Sequence, residues 1–391
     1  MNKIEPRRRF STGVALACWL LVVGCRSDDT QVIDNKLVPL SLTENLQIST
    51  EHEDVLIGNF SGLAISSDGT IYAADGQRQQ IHYFSSEGAY RGSIGEEGSG
   101  PGEFLGLDAR LRILSDTLYV RDRSAGRITF FDLNTNQLSG SFNLPNSSID
   151  DIPLGQPRDM FPMPGGNVLV SFVNPYFEAP NEGEKPHMVT FSLLDKTGEF
   201  TEKKLFQIPV LYPINQTLPL LSSGSINVVA GLSFYPDTRI SADQEGNLFI
   251  ANSDSLLIRL YSEHGRNVAK LTATPPMTEL TESHLDSIAD ARDSPVYRRL
   301  LDDVIRVAGR PDYWPAFDYF LIDDSGRFWV KLLHPGKSEQ TWWVFDPEGK
   351  LMWDFQLSID VDLHQIKGDH VYGLSQSGGG LATIIRYRIE H

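Results

Sequence analysis

The stretch that decides the fold begins Gly62-Leu63-Ala64-Ile65 and turns at Ser67-Asp68-Gly69-Thr70. It runs on through Ile71-Tyr72-Ala73-Ala74-Asp75 and Ile81-His82-Tyr83-Phe84. After Ser86-Glu87-Gly88 it closes on Tyr90-Arg91-Gly92-Ser93-Ile94. Four short runs of β-branched and aromatic residues are separated by polar turns, which suits half-buried strands. Asp68-Gly69 supplies the positive φ that a tight hairpin turn requires. The stretch therefore reads as one four-stranded antiparallel unit.

The unit recurs. A second copy runs from Leu111–Leu114 through Leu118–Asp122 and Arg127–Asp132 to Leu138–Phe142. A third carries Arg158–Phe161, Val168–Val170 and Met188–Ser192. A fourth carries Thr238–Ser241, Leu248–Ala251 and Ile258–Tyr261, and a fifth carries Tyr319–Ile322, Phe328–Val330 and Trp342–Asp346. A sixth, Leu363–Ile366, His370–Leu374 and Thr383–Ile389, has only three clear strands. Six such units predict an all-β, six-bladed β-propeller. The blades fall at roughly 55–104, 105–150, 155–210, 228–276, 315–360 and 361–391. Residues 37–48 have strand character and are predicted to supply the missing outer strand of the last blade, removing an exposed edge.

Residues 62–104 resemble an NHL-type repeat, on Asp68-Gly69 before Ile71–Asp75, on Ile81–Phe84 and on the closing Ile94–Phe104. Residues 37–391 as a whole resemble bacterial six-bladed β-propeller lipoproteins of unassigned function. The first two blades match best, and blades 3 and 6 depart from the pattern. The resemblance speaks for fold and little for function. One insertion, near 278–309, is predicted helical. Ser294-Pro295 makes a cap followed by Pro at the first position. Val296, Tyr297, Leu300, Leu301, Val304, Ile305 and Ala308 share one face, and Gly309 and Pro311 stop the helix. Packing on a blade is favoured for it over a lid across one mouth.

The first segment has a positive patch (Lys3, Arg7, Arg8, Arg9), an apolar run Val14–Val23 and Gly24-Cys25. That is the pattern of an export signal, and the run is too short to span a bilayer. Leu21-Val22-Val23-Gly24-Cys25 resembles a bacterial lipobox, which implies cleavage before Cys25 and lipid on its thiol. Arg7-Arg8-Arg9-Phe10-Ser11 also resembles a twin-arginine signal, and the choice between export routes stays open. Residues 1–24 are then a leader and 25–36 a polar, lipidated tether. Arg26, by analogy with a sorting rule, points to the outer membrane of a Gram-negative envelope.

Cys18 and Cys25 are the only cysteines, so the mature domain has no disulfide, thiol nucleophile or thiolate metal site. The leader carries +3 in a chain of −17, which leaves −20 on the rest. That charge argues against nucleic acid and against electrostatic docking to anionic lipid, so the lipid must anchor.

Candidate chemistry is sparse. Asp75, Asp122 and Asn252 recur with the repeat and read as turn caps. The histidines, His52, His82, His187, His264, His284, His334, His364, His370 and His391, show no metal-ligand spacing. Gly95–Gly102 lacks the Lys and Ser/Thr of a phosphate loop. Asp159, Asp237, Asp318 and Asp243 are weak candidates for the scattered carboxylates of an axial calcium site, as in propeller lactonases. No cofactor is predicted, and calcium is the cation such a site would admit. The loops entering the inner strands carry Arg158, Tyr235, Trp314 and Tyr319. Aromatics beside an Arg make a candidate surface for a glycan, small molecule or protein. The competing reading has Trp314 anchoring the helical insert. The sequence favours a binding or scaffolding module on a bacterial envelope. The alternative is a divalent-metal-dependent hydrolase or lyase.

Overall fold

The computed structural model describes residues 38–52, 55–145, 148–149, 152–173, 188–209, 214–219, 225–230, 232–261, 267–291, 295–376 and 380–390. The leader, Cys25, the tether and Ser294 lie outside them. Six antiparallel sheets form the blades. The first comprises Phe60–Ile65, Ile71–Asp75, Gln80–Phe84 and Tyr90–Ile94, from axis to rim. The inner strands of the others are Arg112–Leu114, Gln156–Pro162, Thr238–Ala242, Phe317–Ile322 and Val361–Lys367.

A four-residue turn explains how the repeats reverse. Asp243, Asp323, Asp195 and Asp346 each stand three residues before a glycine with φ between 76° and 88°. In each turn the glycine N–H donates to the Asp carbonyl, as Gly326 does to Asp323 at 3.0 Å. The Asp carboxylate meanwhile accepts from backbone N–H groups within the turn, as Asp323 does from Ser325 and Arg327, both at 2.9 Å. The side chain thus satisfies donors that no strand partner reaches.

Each pair of neighbouring blades holds its own apolar cluster. Ala64, Tyr72 and Ile81 of blade 1 meet Leu118, Val120 and Phe131 of blade 2. Phe249 and Ile258 of blade 4 meet Phe320 and Phe328 of blade 5. Trp329, Trp342 and Phe355 of blade 5 meet Val371 and Ile385 of blade 6. The core is therefore a ring of interfaces, and a gap at any one of them opens the ring. Gly62 marks the tightest approach: a Cβ there would lie 1.7 Å from the Ala109 carbonyl oxygen.

The ring is closed by the chain's own beginning. Ser41–Ile48 pairs antiparallel with Thr383–Glu390 as the outer strand of blade 6. Val38–Pro39 instead pairs parallel with Trp353–Asp354, extending blade 5 to five strands. The N-terminal segment thus clasps two blades rather than one.

The insertion before blade 5 is two helices, α1 (Glu282–Asp290) and α2 (Pro295–Ala308), rather than one. Thr281 caps α1: its hydroxyl accepts from His284 N–H and the His284 ring accepts from Thr281 N–H. Gly309, at φ 78°, ends α2, donating its N–H to the Ile305 carbonyl at 3.0 Å. Leu301 and Val304 of α2 pack on Leu232, Phe234, Tyr235, Leu280 and Trp314, with Leu333 of blade 5 partly buried against them. The insert is seated on the loops that enter blades 4 and 5. A hairpin not foreseen from the sequence, Ile214–Pro219 with Ser225–Ala230, precedes blade 4. No helix among the described residues is long and apolar enough to cross a membrane.

Candidate functional site at the propeller axis

The axis is populated by a backbone device. In blades 1, 3 and 5 the inner strand carries a bulge near its start, and in blade 6 at its middle, which leaves Ser61, Arg158, Asp318 and His364 unpaired with the second strand. A bulge adds one residue to a strand and re-aims its side chain. Three of these four residues are ionisable.

At the mouth where the inner strands begin, Arg158 and its neighbours form a belt of alternating charge. Arg110 pairs with Asp159 at 2.9 Å, and Arg158 pairs with Asp237 at 3.0 Å. Arg239 bridges Asp237 at 3.2 Å and Asp318 at 3.7 Å. Lys331 bridges Asp318 at 3.2 Å and Asp362 at 3.6 Å. The belt joins blade 2 to blade 6 through side chains that are mostly partly exposed, so each pair is weakened by solvent. Beneath it the buried Arg121 guanidinium pairs with Asp108 and donates to the Pro157 carbonyl at 2.7 Å. Burial opposes ionisation of Asp108, but the adjacent Arg121 outweighs it and holds the carboxyl below its usual range. Between blades 2 and 3 the same mouth opens into a cavity of about 500 Å³, lined by Arg121, Arg123, Ser124, Gln156 and Pro157 among others.

The candidate ligand residues separate into two groups. Arg158 and Tyr319 stand near this mouth. The Tyr319 hydroxyl donates to the Leu363 carbonyl and accepts from Leu363 N–H, both at 3.1 Å, which ties blade 5 to blade 6. Its ring meets Trp342 edge-on, and the Lys331 ammonium lies 5.2 Å from the ring centre. Burial pushes its hydroxyl pKa up, so it remains a neutral donor. Tyr235 and Trp314 are instead buried under the helical insert, at 4% and 5% exposure. Tyr235 donates to the Gly309 carbonyl, and the Trp314 indole N–H donates to His284 Nδ1 at 3.1 Å. Their side chains anchor the two helices.

The candidate carboxylates do not fit a divalent cation as they stand. Asp159, Asp237 and Asp318 each lie within 4 Å of a guanidinium or ammonium group. A cation would have to displace those partners. Asp243 is occupied at its turn, accepting from Glu245 N–H at 2.9 Å and Asn247 N–H at 2.8 Å. Among the described residues no three His, Cys, Asp or Glu side chains gather as a metal-ligand set.

The repeated polar positions are caps. Asp75 accepts from Gly58, Asn59, Gln77 and Arg78 N–H. Burial raises its pKa, but hydrogen bonds from His82 and those backbone groups more than offset this and hold it low. Asp122 does the same for Leu105, Ser124 and Ala125, and Asn252 accepts from the Thr238 hydroxyl at 3.2 Å.

Sequence reasoning missed Arg110, Arg239, Lys331 and Asp362 at the mouth, and Arg112 and His364 deeper in. For Arg239 and Asp362 a signal was present, a charged residue at the second position of an inner strand; Arg112 opens its strand, His364 is fourth in its own, Arg110 precedes a strand and Lys331 lies on a second strand.

The sequence over residues 39–216 matches a family model described as a six-bladed beta-propeller. No curated protein matches the chain. Among solved structures, a Bacteroides fragilis protein inferred to be exported is 13% identical, with a TM-score of 0.53, covering 93% of this chain and 98% of its own. A virginiamycin B lyase from Staphylococcus aureus is 11% identical, with a TM-score of 0.42, covering 89% of this chain and 99% of its own. Regucalcin from Agrobacterium tumefaciens, described as a calcium-binding protein, is also 11% identical, with a TM-score of 0.41, covering 90% and 95%. These likenesses concern the fold alone. The repeats, the ring of blade interfaces and the family match together make this chain a six-bladed β-propeller.

Proposed function

We propose that this chain is a non-catalytic binding module, exported and held at a bacterial envelope by lipid on Cys25, whose ligand docks at the mouth bearing Arg158 and Tyr319. One observation carries the reading. A cavity of about 500 Å³ opens at that mouth beside a belt whose charges are already paired. Its size suits a small ligand or one residue of a larger one. Fixed, mutually neutralised groups recognise a polar ligand by hydrogen bonding, without presenting a nucleophile or an open carboxylate set. A glycan or an extended peptide loop fits that chemistry. The leader pattern, ending at Gly24-Cys25, supports the envelope location.

Two measurements test the reading. Purified protein is expected to hold less than one calcium or zinc ion per chain. Stoichiometric metal lost on Asp237→Asn would reverse the reading in favour of an axial metalloenzyme. Glycan and peptide arrays probed with the wild-type chain are expected to give signals that Arg158→Ala weakens; identical signals from the variant would remove Arg158 from the site. For the anchor, radiolabelled fatty acid is expected on the wild-type chain and not on Cys25→Ser.

A further inference from the structure

The half of the channel away from the belt holds a second site. The inner strands enclose a cavity of about 100 Å³ there. Arg112, His364, Gln365, Ser241, Gln244 and Leu321 contribute to its wall. That volume accommodates a few waters or one small ion.

Arg112 is the unusual member. Among the described residues it makes no hydrogen bond or ion pair, and its Nε is buried without an acceptor. One face of the guanidinium rests over the Phe161 ring, 5.4 Å from its centre. Stacking of this kind fixes the plane and leaves the N–H edge as the recognising surface. The carboxylates that act on it electrostatically are engaged elsewhere, Asp159 with Arg110 and Asp108 with Arg121, and Asp243, which lines the same cavity, is held by its turn. Burial penalises the charge of Arg112, and a guanidinium does not shed its proton in compensation. Asp159 and Asp108 favour the charge electrostatically, but among the described residues no carboxylate touches this partly buried guanidinium, whereas such groups are ordinarily paired directly.

His364 shares the cavity by virtue of its bulge. Burial and the nearby Arg112 lower its pKa to about 4, against the opposing pull of Asp362. At neutral pH it is an uncharged imidazole that offers one donor and one acceptor. Gln365 is committed to blade 1, accepting from Ile65 N–H at 2.8 Å, so it holds the wall rather than a ligand.

We propose that this inner cavity binds a small oxyanion, a carboxylate or phosphate group, through the N–H edge of Arg112 with His364 as a second donor. The site lies apart from the mouth, and it stands or falls independently of the function proposed above. The guanidinium supplies the paired N–H geometry that planar and tetrahedral oxyanions both accept. The Phe161 ring backs the guanidinium, and Leu321 contributes an aliphatic part of the cavity wall.

Isothermal titration of the full-length chain in detergent, with inorganic phosphate and separately with acetate at low ionic strength, tests this. Saturable binding of one anion per chain is expected for at least one of the two, and the responding anion names the class. Arg112→Gln is expected to weaken it on the order of tenfold or more, since a charge-assisted hydrogen bond is lost. Arg112→Lys, which keeps the charge, covers the case in which the Gln variant does not fold, and should lose part of the affinity. His364→Gln should produce a smaller loss. No saturable heat with either anion overturns the proposal, as does an unchanged affinity in Arg112→Gln or Arg112→Lys.

Discussion

Deleting residues 37–48 is the sharpest perturbation of this fold, because it removes the strand that closes the ring. Its cost can be worked from the structure. Leu40 and Ile48 are buried to 6% and 5% exposure, within the cluster joining blades 5 and 6 and the cluster joining blades 6 and 1. Burying two such side chains contributes about 3–6 kcal/mol together. The ladder between Ser41–Ile48 and Thr383–Glu390 extends along the whole strand, and each of its hydrogen bonds adds about 1 kcal/mol net. The sum rivals the total stability of a typical domain, about 5–15 kcal/mol. The deletion should therefore do more than lower the melting point. Blade 6 is expected to unravel first, giving a broad or split transition by circular dichroism and early proteolysis within residues 361–390. Ile48→Ala is the milder companion, costing about 2–5 kcal/mol while the transition stays single. A deletion variant that melts at the wild-type temperature in one sharp step would refute the closure argument.

Other outcomes follow from the same structure. Arg121→Ala leaves the Asp108 carboxylate buried without its cation, and should cost about 3–5 kcal/mol in urea denaturation, with Arg121→Met/Asp108→Asn recovering much of the loss. His364 has a folded pKa of about 4 against an ordinary 6.5, so the unfolded chain takes up its proton first. Stability should then fall as pH drops from about 6.5 to about 4, by less than roughly 3 kcal/mol given solvent in the channel, and His364→Gln should remove that slope. Asp75 and Asp108 have depressed pKa values, so their contribution is present above pH 4 and lost below it, giving a second, steeper acid limb. Gly62→Ala drives a methyl group into the Ala109 carbonyl and should cost about 1–3 kcal/mol or more by thermal melting.

The repeat was legible in the chain alone. Alternating β-branched and aromatic residues, broken by glycine-bearing turns such as Asp68-Gly69, admit little else than stacked four-stranded units. Those signals are local, as they depend on strand period and turn φ, and neighbours in sequence carry both. Closure by residues 37–48 was legible for the same reason: one unit lacked a strand and one strand lacked a unit. The caps at Asp75 and Asp122 were legible because they repeat with the fold.

The axis was not legible before folding. Six inner strands that start 44 to 82 residues apart in the chain converge there, and no local pattern reports which of their side chains meet. The bulges that leave Arg158, Asp318 and His364 unpaired show only in the register of the folded sheets. Asp159, Asp237 and Asp318 read in sequence as spare carboxylates. In the ring each acquires a basic neighbour from an adjacent blade, and Asp237 and Asp318 a second from their own, because closure brings charged positions of successive blades within 4 Å. Arg112, one arginine among many in the sequence, touches no carboxylate among the described residues, and Asp159 and Asp108, which act on it electrostatically, are paired with other cations.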